Sequence, residues 1–492
     1  MSVLKRGISI ILVLLMILGL AACAGGDGPD SSSSDDASSY REPYVADVAP
    51  QEEEWVDTDG DFEYKTVEWA GPAGYNIVFP AGNEELKVVA EYLQDYYTRV
   101  HDVTLKIVTD ASAATDKEIL IGKTNRKESK ADLKEGELSA SLQGNKLVFI
   151  GGHDVTSEAA VKRFTRLFPD KNEAFTFSLE TDFTSAPDVE GLENYKFVWG
   201  DEFEDWYDID FGKWTFRAGM SGSKSAKIST DRDVIEVSDG RLKIRSINYY
   251  NHNEPEVLFK MPWSTATYQT FNFLYGYAEI RARIPFFKGA WPSFWGGSAT
   301  QIVPRNPLWH AEVDVFEIFG SEDTVVPNIH KWYDDYDYAG IHGLGPEERH
   351  TQYKNNEYPK KRYVYENAKK LDQEYHTYGY EWTPEWMHFY VDGEKYCTMD
   401  IVNSWDEEPK MDMFQEPQYS QFNNHVFVED ASYKPNLIYE NMHLLPSDYF
   451  IDYFRFYQLS DGKSKIWTDT SQRGTEPNLN RIVDPKELVK DE

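Results

Sequence analysis

Three carboxylates stand within six residues in Trp309-His310-Ala311-Glu312-Val313-Asp314-Val315-Phe316-Glu317-Ile318-Phe319-Gly320, among β-branched and aromatic neighbours and closed by a glycine. That composition belongs to a strand and not to a solvated acidic loop. Side chains alternate along a strand, so Glu312 and Asp314 share one face with His310, while Val313 and Val315 face the other side. Strict alternation would send Glu317 to the apolar face. One extra residue at Val315 or Phe316 would restore it, and a β-bulge is predicted there. Like charges held together raise at least one pKa, so one carboxyl can stay protonated near neutral pH while another stays ionised. Glycoside hydrolysis with retention needs that division of labour, in a nucleophilic carboxylate and an acid/base carboxyl roughly 5 to 5.5 Å apart. Glu312 is then the nucleophile and Glu317 the acid/base, with Asp314 between them to hydrogen-bond the nucleophile and tune both neighbours. With the bulge counted as one step, the two glutamates lie about 13 Å apart along the strand, so their carboxyls have to lean together over a curved sheet. An exposed strand with acids on its wet face would carry the same bare E-x-D-x-x-E string. The flanking segments decide between these readings.

Glu312-Val313-Asp314-Val315-Phe316-Glu317 resembles the active-site signature of glycoside hydrolase family 16 in its bulged form, typical of laminarinases, agarases and carrageenases. Further segments resemble that family in order. They are Trp199-Gly200-Asp201-Glu202-Phe203, Tyr275 to Arg283, Gly289-Ala290-Trp291-Pro292-Ser293-Phe294-Trp295, His376 to Trp382 with Val391-Asp392-Gly393, and Ile451 to Tyr457. The resemblance spans about residues 195 to 460. It implies a jelly-roll β-sandwich with a concave groove and a retaining endo-hydrolase of a β-linked polysaccharide. It also implies that Trp295 floors the subsite beside the nucleophile and that His330 hydrogen-bonds a sugar hydroxyl or the acid/base. Trp291, Trp332 and His310 are further substrate-binding candidates, and Arg281 and Arg283 are expected to pair with carboxylates near the groove floor. Fourteen Trp and thirty-two Tyr exceed ordinary core needs, and sugar rings present C–H faces that stack on flat aromatic side chains.

The elements that position these groups follow from the chain in order. Lys5 and Arg6 precede an apolar run from Ile8 to Leu20, so residues 1–23 read as a signal peptide. Leu20-Ala21-Ala22-Cys23 resembles a bacterial lipobox, which implies acylation of Cys23 and an extracellular protein held on a membrane surface. Residues 24–60 are rich in Ser, Asp and Glu and read as a disordered tether. With Cys23 lipidated, Cys397 has no cysteine partner within the chain. Residues 61–187 read as a small α+β domain. Tyr75 to Phe79, Glu118 to Gly122 and Lys146 to Ile150 are predicted strands. Asn83 to Tyr97 and Ser157 to Phe168 are predicted helices, with Asp154 or Thr156 as the second helix's cap. This segment resembles the non-catalytic domain that precedes the barrel in β-hexosaminidases. Its favoured role is a structural spacer, ahead of direct glycan binding.

From 195 to 460 helical periodicity fades and alternating segments recur between Gly and Pro turns, the texture of an all-β sandwich. Residues 461–492 are left as a C-terminal tail. His-Glu-x-x-His, Cys-x-x-Cys and Gly-x-Ser-x-Gly are absent from the sequence, so zinc-hydrolase and serine-esterase chemistry lack their parts. A net charge of −34 argues against nucleic acid and favours a neutral polymer over a sulfated one. The expected protein is a monomer that requires no cofactor and has no catalytic metal. Structural calcium is compatible with the resemblance, but no oxygen-ligand motif marks a site. β-1,3-Glucan or mixed-linkage β-glucan is the first substrate expectation. An agar- or carrageenan-type galactan is the alternative within the same chemistry, and a non-catalytic glycan-binding surface lipoprotein is the alternative outside it. Three departures from the family bear on specificity: Ala311 where many laminarinases have Gly, Gly296-Gly297 after Trp295, and an aperiodic stretch from Asp334 to Lys370 that would wall a cleft.

Overall fold

The computed structural model describes residues 64–179, 186, 188–205, 209–217, 225–268, 270–299, 309–318, 324–333, 350–352, 363–364, 371–402, 412–427 and 438–468. The expected signal peptide with Cys23, the tether, and residues 469–492 of the tail lie outside them.

The first layer is a seven-stranded sheet, in spatial order Tyr64–Glu68, Glu173–Leu179, Leu138–Gln143, Lys146–Gly151, Glu118–Ile121, Asn76–Phe79 and Lys106–Thr109. Its last four strands pair in parallel. Parallel strands are covered on both faces, which explains the unbroken apolar runs Ile119-Leu120-Ile121 and Leu147-Val148-Phe149. Helix α1 (Glu84–His101) buries Leu86, Val89, Ala90, Leu93, Tyr96 and Tyr97 as one stripe, and the Asn83 side chain accepts from the Leu86 N–H to cap it. Helix α2 (Asp154–Arg166) begins three residues before the predicted Ser157, and its cap lies one residue before the nearer candidate, Asp154. His153 is the cap, its ring accepting from Val155 N–H, while the Thr156 hydroxyl accepts from His153 N–H. Asp154 is instead engaged by the Asn83 amide at 2.6 Å.

The rest is a β-sandwich. The rear sheet has ten strands; its central ones are Arg241–Asn248, Ser447–Gln458, Gly276–Arg283 and His376–Trp382. The front sheet runs from His350–Gln352 through Asn328–Tyr333, Trp309–Glu317, Ala290–Ser298, Gln418–Val426 and Ser264–Ala266 to Thr215–Arg217. Alternation decides what lies between them. Ala278, Ile280 and Ala282 of the rear sheet meet Phe294, Val313, Phe316 and Phe422 of the front sheet in one core. Each large apolar side chain fully buried there contributes about 1.5–3 kcal/mol relative to exposure.

Two sequence boundaries need correction. Lys465–Thr468, assigned to the tail, is a strand that pairs with Phe271–Leu274 of the front sheet. Within the stretch expected to be one loop, His350–Gln352 adds an edge to the front sheet and Tyr363–Val364 pairs with Thr324–Val325. The remainder of 334–370 lies outside the described residues.

The first layer and the sandwich belong to one compact unit. Buried charges join them. Arg163 and Arg166 of α2 reach Glu204, Lys162 reaches Asp205, and Glu158 accepts from Lys213 at 3.1 Å. Arg455 of the rear sheet pairs with Glu202 at 2.8 Å and also donates to the Gly136 carbonyl of the first layer.

Candidate active site

The acidic strand, Trp309–Glu317, lies between the tryptophan strand Ala290–Ser298 and the histidine strand Asn328–Tyr333. Along the tryptophan strand Ser293 faces Glu317 and Phe294 faces Phe316, but Trp295 faces Asp314. Val315 is therefore the extra residue. The core records the same shift: Ala311, Val313, Val315, Phe316 and Ile318 all point inward, including two consecutive residues. Glu312, Asp314 and Glu317 are left on the outward face. The bulge is thus forced from both sides, by apolar groups that need the core and acids that cannot enter it unpaired.

Each carboxylate has a different setting. Asp314 is 1% exposed, while the Glu312 side chain is 19% exposed. His330, directly across from Glu312 on the histidine strand, brings Nε2 to 2.9 Å from Asp314 Oδ2 and 3.8 Å from Glu312 Oε1. One imidazole is therefore shared by two carboxylates, and it fixes the buried one more closely. Ligand-capable atoms of Glu312, Asp314 and His330 lie within 4.8 Å of one another, the one such cluster among the described residues. Glu317 is half-buried and accepts a hydrogen bond from Trp291 Nε1 at 3.1 Å.

The aromatic candidates separate. Trp295 is half-buried on the outward face, and its indole N–H donates to Asn423 Oδ1 at 2.5 Å. That bond fixes the ring while leaving it partly open, as a stacking platform needs. Trp291 does not suit the substrate-stacking role expected of it. It is 6% exposed and stacks on Phe427 at 4.7 Å with the rings 14° from parallel. Arg281 is a second correction. Its neighbours Ala278, Ile280 and Ala282 take the core face of the rear sheet, so Arg281 points to the far side of the sandwich. There it pairs with Asp452 at 2.9 Å and lies over the Tyr375 ring. It meets a carboxylate as expected, but remote from the acidic strand. Arg283 shares that far face and lies over Phe450. His310 and Trp332 occupy facing register positions on the acidic and histidine strands, and their side chains are outside the description.

Sequence reasoning passed over the strand Gln418–Val426. Trp295 pairs with Gln421, Ser293 with Asn423 and Trp291 with His425, so these polar side chains continue the outward face beside the acids. The signal was present as Gln421, Asn423 and His425 alternating around Phe422, but Asn424 points inward to bond the Ile244 and Ser447 carbonyls, which blurs the pattern. Gly296 has a local cause. A Cβ there would come within 2.1 Å of the Tyr419 carbonyl, so the close approach of these strands excludes a side chain.

Residues 222–424 match the model of "Glycosyl hydrolases family 16", an interval that contains the acidic, tryptophan and histidine strands. An endo-1,3-1,4-beta-glycanase of Rhizobium meliloti is 30% identical over 128 residues, which is 26% of this chain and 21% of that protein. A beta-1,3-glucan-binding protein of Penaeus monodon is 29% identical over 153 residues, covering 28% of this chain and 36% of its own length. The chain thus spans about a fifth to a third of the length of these relatives. The laminarinase structure from Rhodothermus marinus superposes with a TM-score of 0.40 at 21% identity, over 54% of this chain and 97% of that one. The family match, and the acidic strand it encloses, make residues 222–424 similar to a glycosyl hydrolase family 16 domain.

Proposed function

We propose that the protein is a retaining endo-glycosidase of a neutral β-linked glucan, with β-1,3 or mixed β-1,3/1,4 linkages as first choice. The observation that supports this most is the bulge at Val315, which returns Glu317 to the face of Glu312 with Asp314 between them. In the first step the Glu312 carboxylate attacks the anomeric carbon while Glu317 gives its proton to the departing glycosidic oxygen. In the second, Glu317 takes a proton from water, the water oxygen attacks the anomeric carbon, and Glu312 leaves as carboxylate. Asp314 and His330 hold Glu312 in its attacking orientation. Trp295 offers a ring face to the neighbouring sugar, and Asn423 holds that ring in place by accepting its indole N–H. The steps use side chains and water and require no cofactor.

Reducing-sugar release from laminarin, lichenan, agarose and carrageenan tests the proposal, with Glu312→Gln assayed in parallel. We expect release from laminarin or lichenan, and a loss exceeding about 10⁴-fold in kcat in the variant, comparable to removing an essential nucleophile elsewhere. Release from agarose or carrageenan alone would transfer the same chemistry to a galactan. The name of the Penaeus monodon relative gives the non-catalytic reading its support. Tight glucan binding without hydrolysis, unchanged by Glu312→Gln, would establish that reading instead.

We further propose that the protein acts as a monomer outside the cytoplasm, tethered to a membrane through acylated Cys23, as supported by the apolar run before Leu20-Ala21-Ala22-Cys23. Cys23→Ser should abolish incorporation of labelled fatty acid and release the protein from the membrane fraction. Retention without label would refute the anchor.

A further inference from the structure

We infer that Trp291 is a positioning residue for the acid/base, selecting which oxygen of Glu317 carries the catalytic proton. The inference rests on Glu317 being that acid/base.

An indole has one N–H and no acceptor. Trp291 directs that donor at Glu317 Oε1, 3.1 Å away. An oxygen receiving this bond is the poorer place for a proton, because its lone pair is engaged and a proton there would face a donor. The proton of neutral Glu317 therefore sits on Oε2, and the carboxyl is held in one rotational setting. A carboxyl free to turn would present either oxygen to the leaving group.

The indole itself has little room to move. One face is stacked on Phe427, and its edge meets the His425 ring 6.1 Å away at 79°. The backbone is tied down at the same place, since Ile318 N–H donates to the Pro292 carbonyl at 3.1 Å and Ser293 pairs with Glu317. With one face on Phe427 and 6% exposure, the ring's contact with Glu317 is made by its edge.

The test uses Trp291→Phe, which keeps the stack on Phe427 and removes the N–H. It is compared with Phe427→Leu, which loosens the stack and keeps the donor. Two substrates are needed: the polysaccharide, whose leaving alcohol requires protonation, and an oligosaccharide with an activated nitrophenyl leaving group, which does not. Trp291→Phe should lower kcat on the polysaccharide about tenfold with KM little changed, the scale of one hydrogen bond to a charged group. Its effect on cleavage of the nitrophenyl bond should be under about threefold. The alkaline limb of kcat/KM should move to higher pH, because loss of a donor to the carboxylate favours the protonated form. Phe427→Leu should leave that limb in place.

Equal losses on both substrates, a limb that stays fixed in Trp291→Phe, or a limb that moves equally in Phe427→Leu would overturn the inference and leave Trp291 a packing residue. Should Trp291→Phe fold poorly, the wild type supplies the readout. The Trp291 indole ¹⁵N–¹H resonance should titrate with Glu317 and cease to do so in Glu317→Gln. A resonance that ignores Glu317 would refute the hydrogen bond. Full polysaccharide activity in Glu317→Ala would instead overturn the functional reading, and this inference with it.

Discussion

The two outward faces of the sandwich both carry carboxylates among aromatic rings, and they hold them in opposite ways. On the rear face Glu279, 0% exposed, accepts from the phenols of Tyr277 at 2.7 Å and Tyr453 at 2.8 Å. Glu381 accepts from Tyr195 and Tyr390, and Glu202 meets the guanidinium of Arg455 through two hydrogen bonds. Burial pushes the Tyr277 and Tyr453 phenols up, and neighbouring Glu279 pushes them further. On the front face Glu312 and Asp314 share one imidazole, and Glu317 has an indole N–H. A guanidinium fork matched to a carboxylate fixes both position and charge. Each rear acid is thus engaged by two phenols or by a guanidinium, while the front ones share one imidazole or meet a single indole.

Inserting one alanine between Phe316 and Glu317 should give the largest effect and would break the comparison outright. Deleting Val315 would leave Glu317 outward, since Phe316 would then follow Asp314 in strict alternation. One more residue after Phe316 instead turns Glu317 toward the core, and the outward face loses its third acid. Either Glu317 is buried among Phe294, Phe316 and Tyr378, which is costly for a carboxyl without a partner, or the strand slips and Phe316 faces water. Activity should fall below about 10⁻⁴ of wild type in a polysaccharide assay. Near-normal turnover would mean that the outward setting of Glu317 is dispensable.

Glu202→Gln should do the reverse. It leaves Arg455, 1% exposed, with its charge no longer answered and should cost about 3–5 kcal/mol in denaturant unfolding. Turnover per folded molecule should stay within about twofold, because Glu202 lies on the far side of the core. A large loss of turnover with unchanged stability would show that the rear face takes part in the reaction.

The acidic strand of the front face was legible in the sequence and the rear face was not, for a physical reason. Three acids crossing an apolar strand have one way to stay out of a core, so Glu312, Asp314 and Glu317 implied the bulge before any coordinates. Rear carboxylates announce nothing. Glu279 lies in an alternating strand like any solvent-facing glutamate, and only the third dimension brings Tyr453 to it. The same limit explains Arg281, whose motif is clear but whose face depends on which sheet it joins. It also explains Trp291, since spacing gives a tryptophan's neighbours and not which side of its ring is occupied. The cap of α2 is His153, whose ring nitrogen serves where the Asp154 carboxylate or the Thr156 hydroxyl was expected.

The smallest predicted effect concerns the charges where the first layer meets the sandwich. Glu158, Asp201 and Asp205 gather around only two ammonium groups, Lys162 and Lys213. Burial disfavours every charge there, and the cations cannot satisfy all three acids. Burial pushes the Glu158 carboxyl up, but Lys162 and Lys213 together outweigh it and hold it well below the carboxylate range. Asp205 is the surplus acid. Burial pushes it up to about 6, with Lys162 opposing and Asp201 adding to the rise. A carboxyl raised on folding stabilises the fold while protonated, so its contribution is full below the unfolded value near 3.8 and disappears as pH rises through about 6. Glu158 works in the opposite sense, its contribution being present above its unfolded value and lost as pH falls through its low folded one. The wild type should therefore gain stability as pH falls from 7 toward 5, by roughly 1–3 kcal/mol if Asp205 dominates. Asp205→Asn should flatten that part of the profile while keeping the acid-side loss that Glu158 causes. Thermal melts of the two proteins between pH 4 and 8 would show it. Parallel profiles would mean that Asp205 stays ionised throughout, and that the layer interface, like the Glu202 and Arg455 pair, is fully matched in charge.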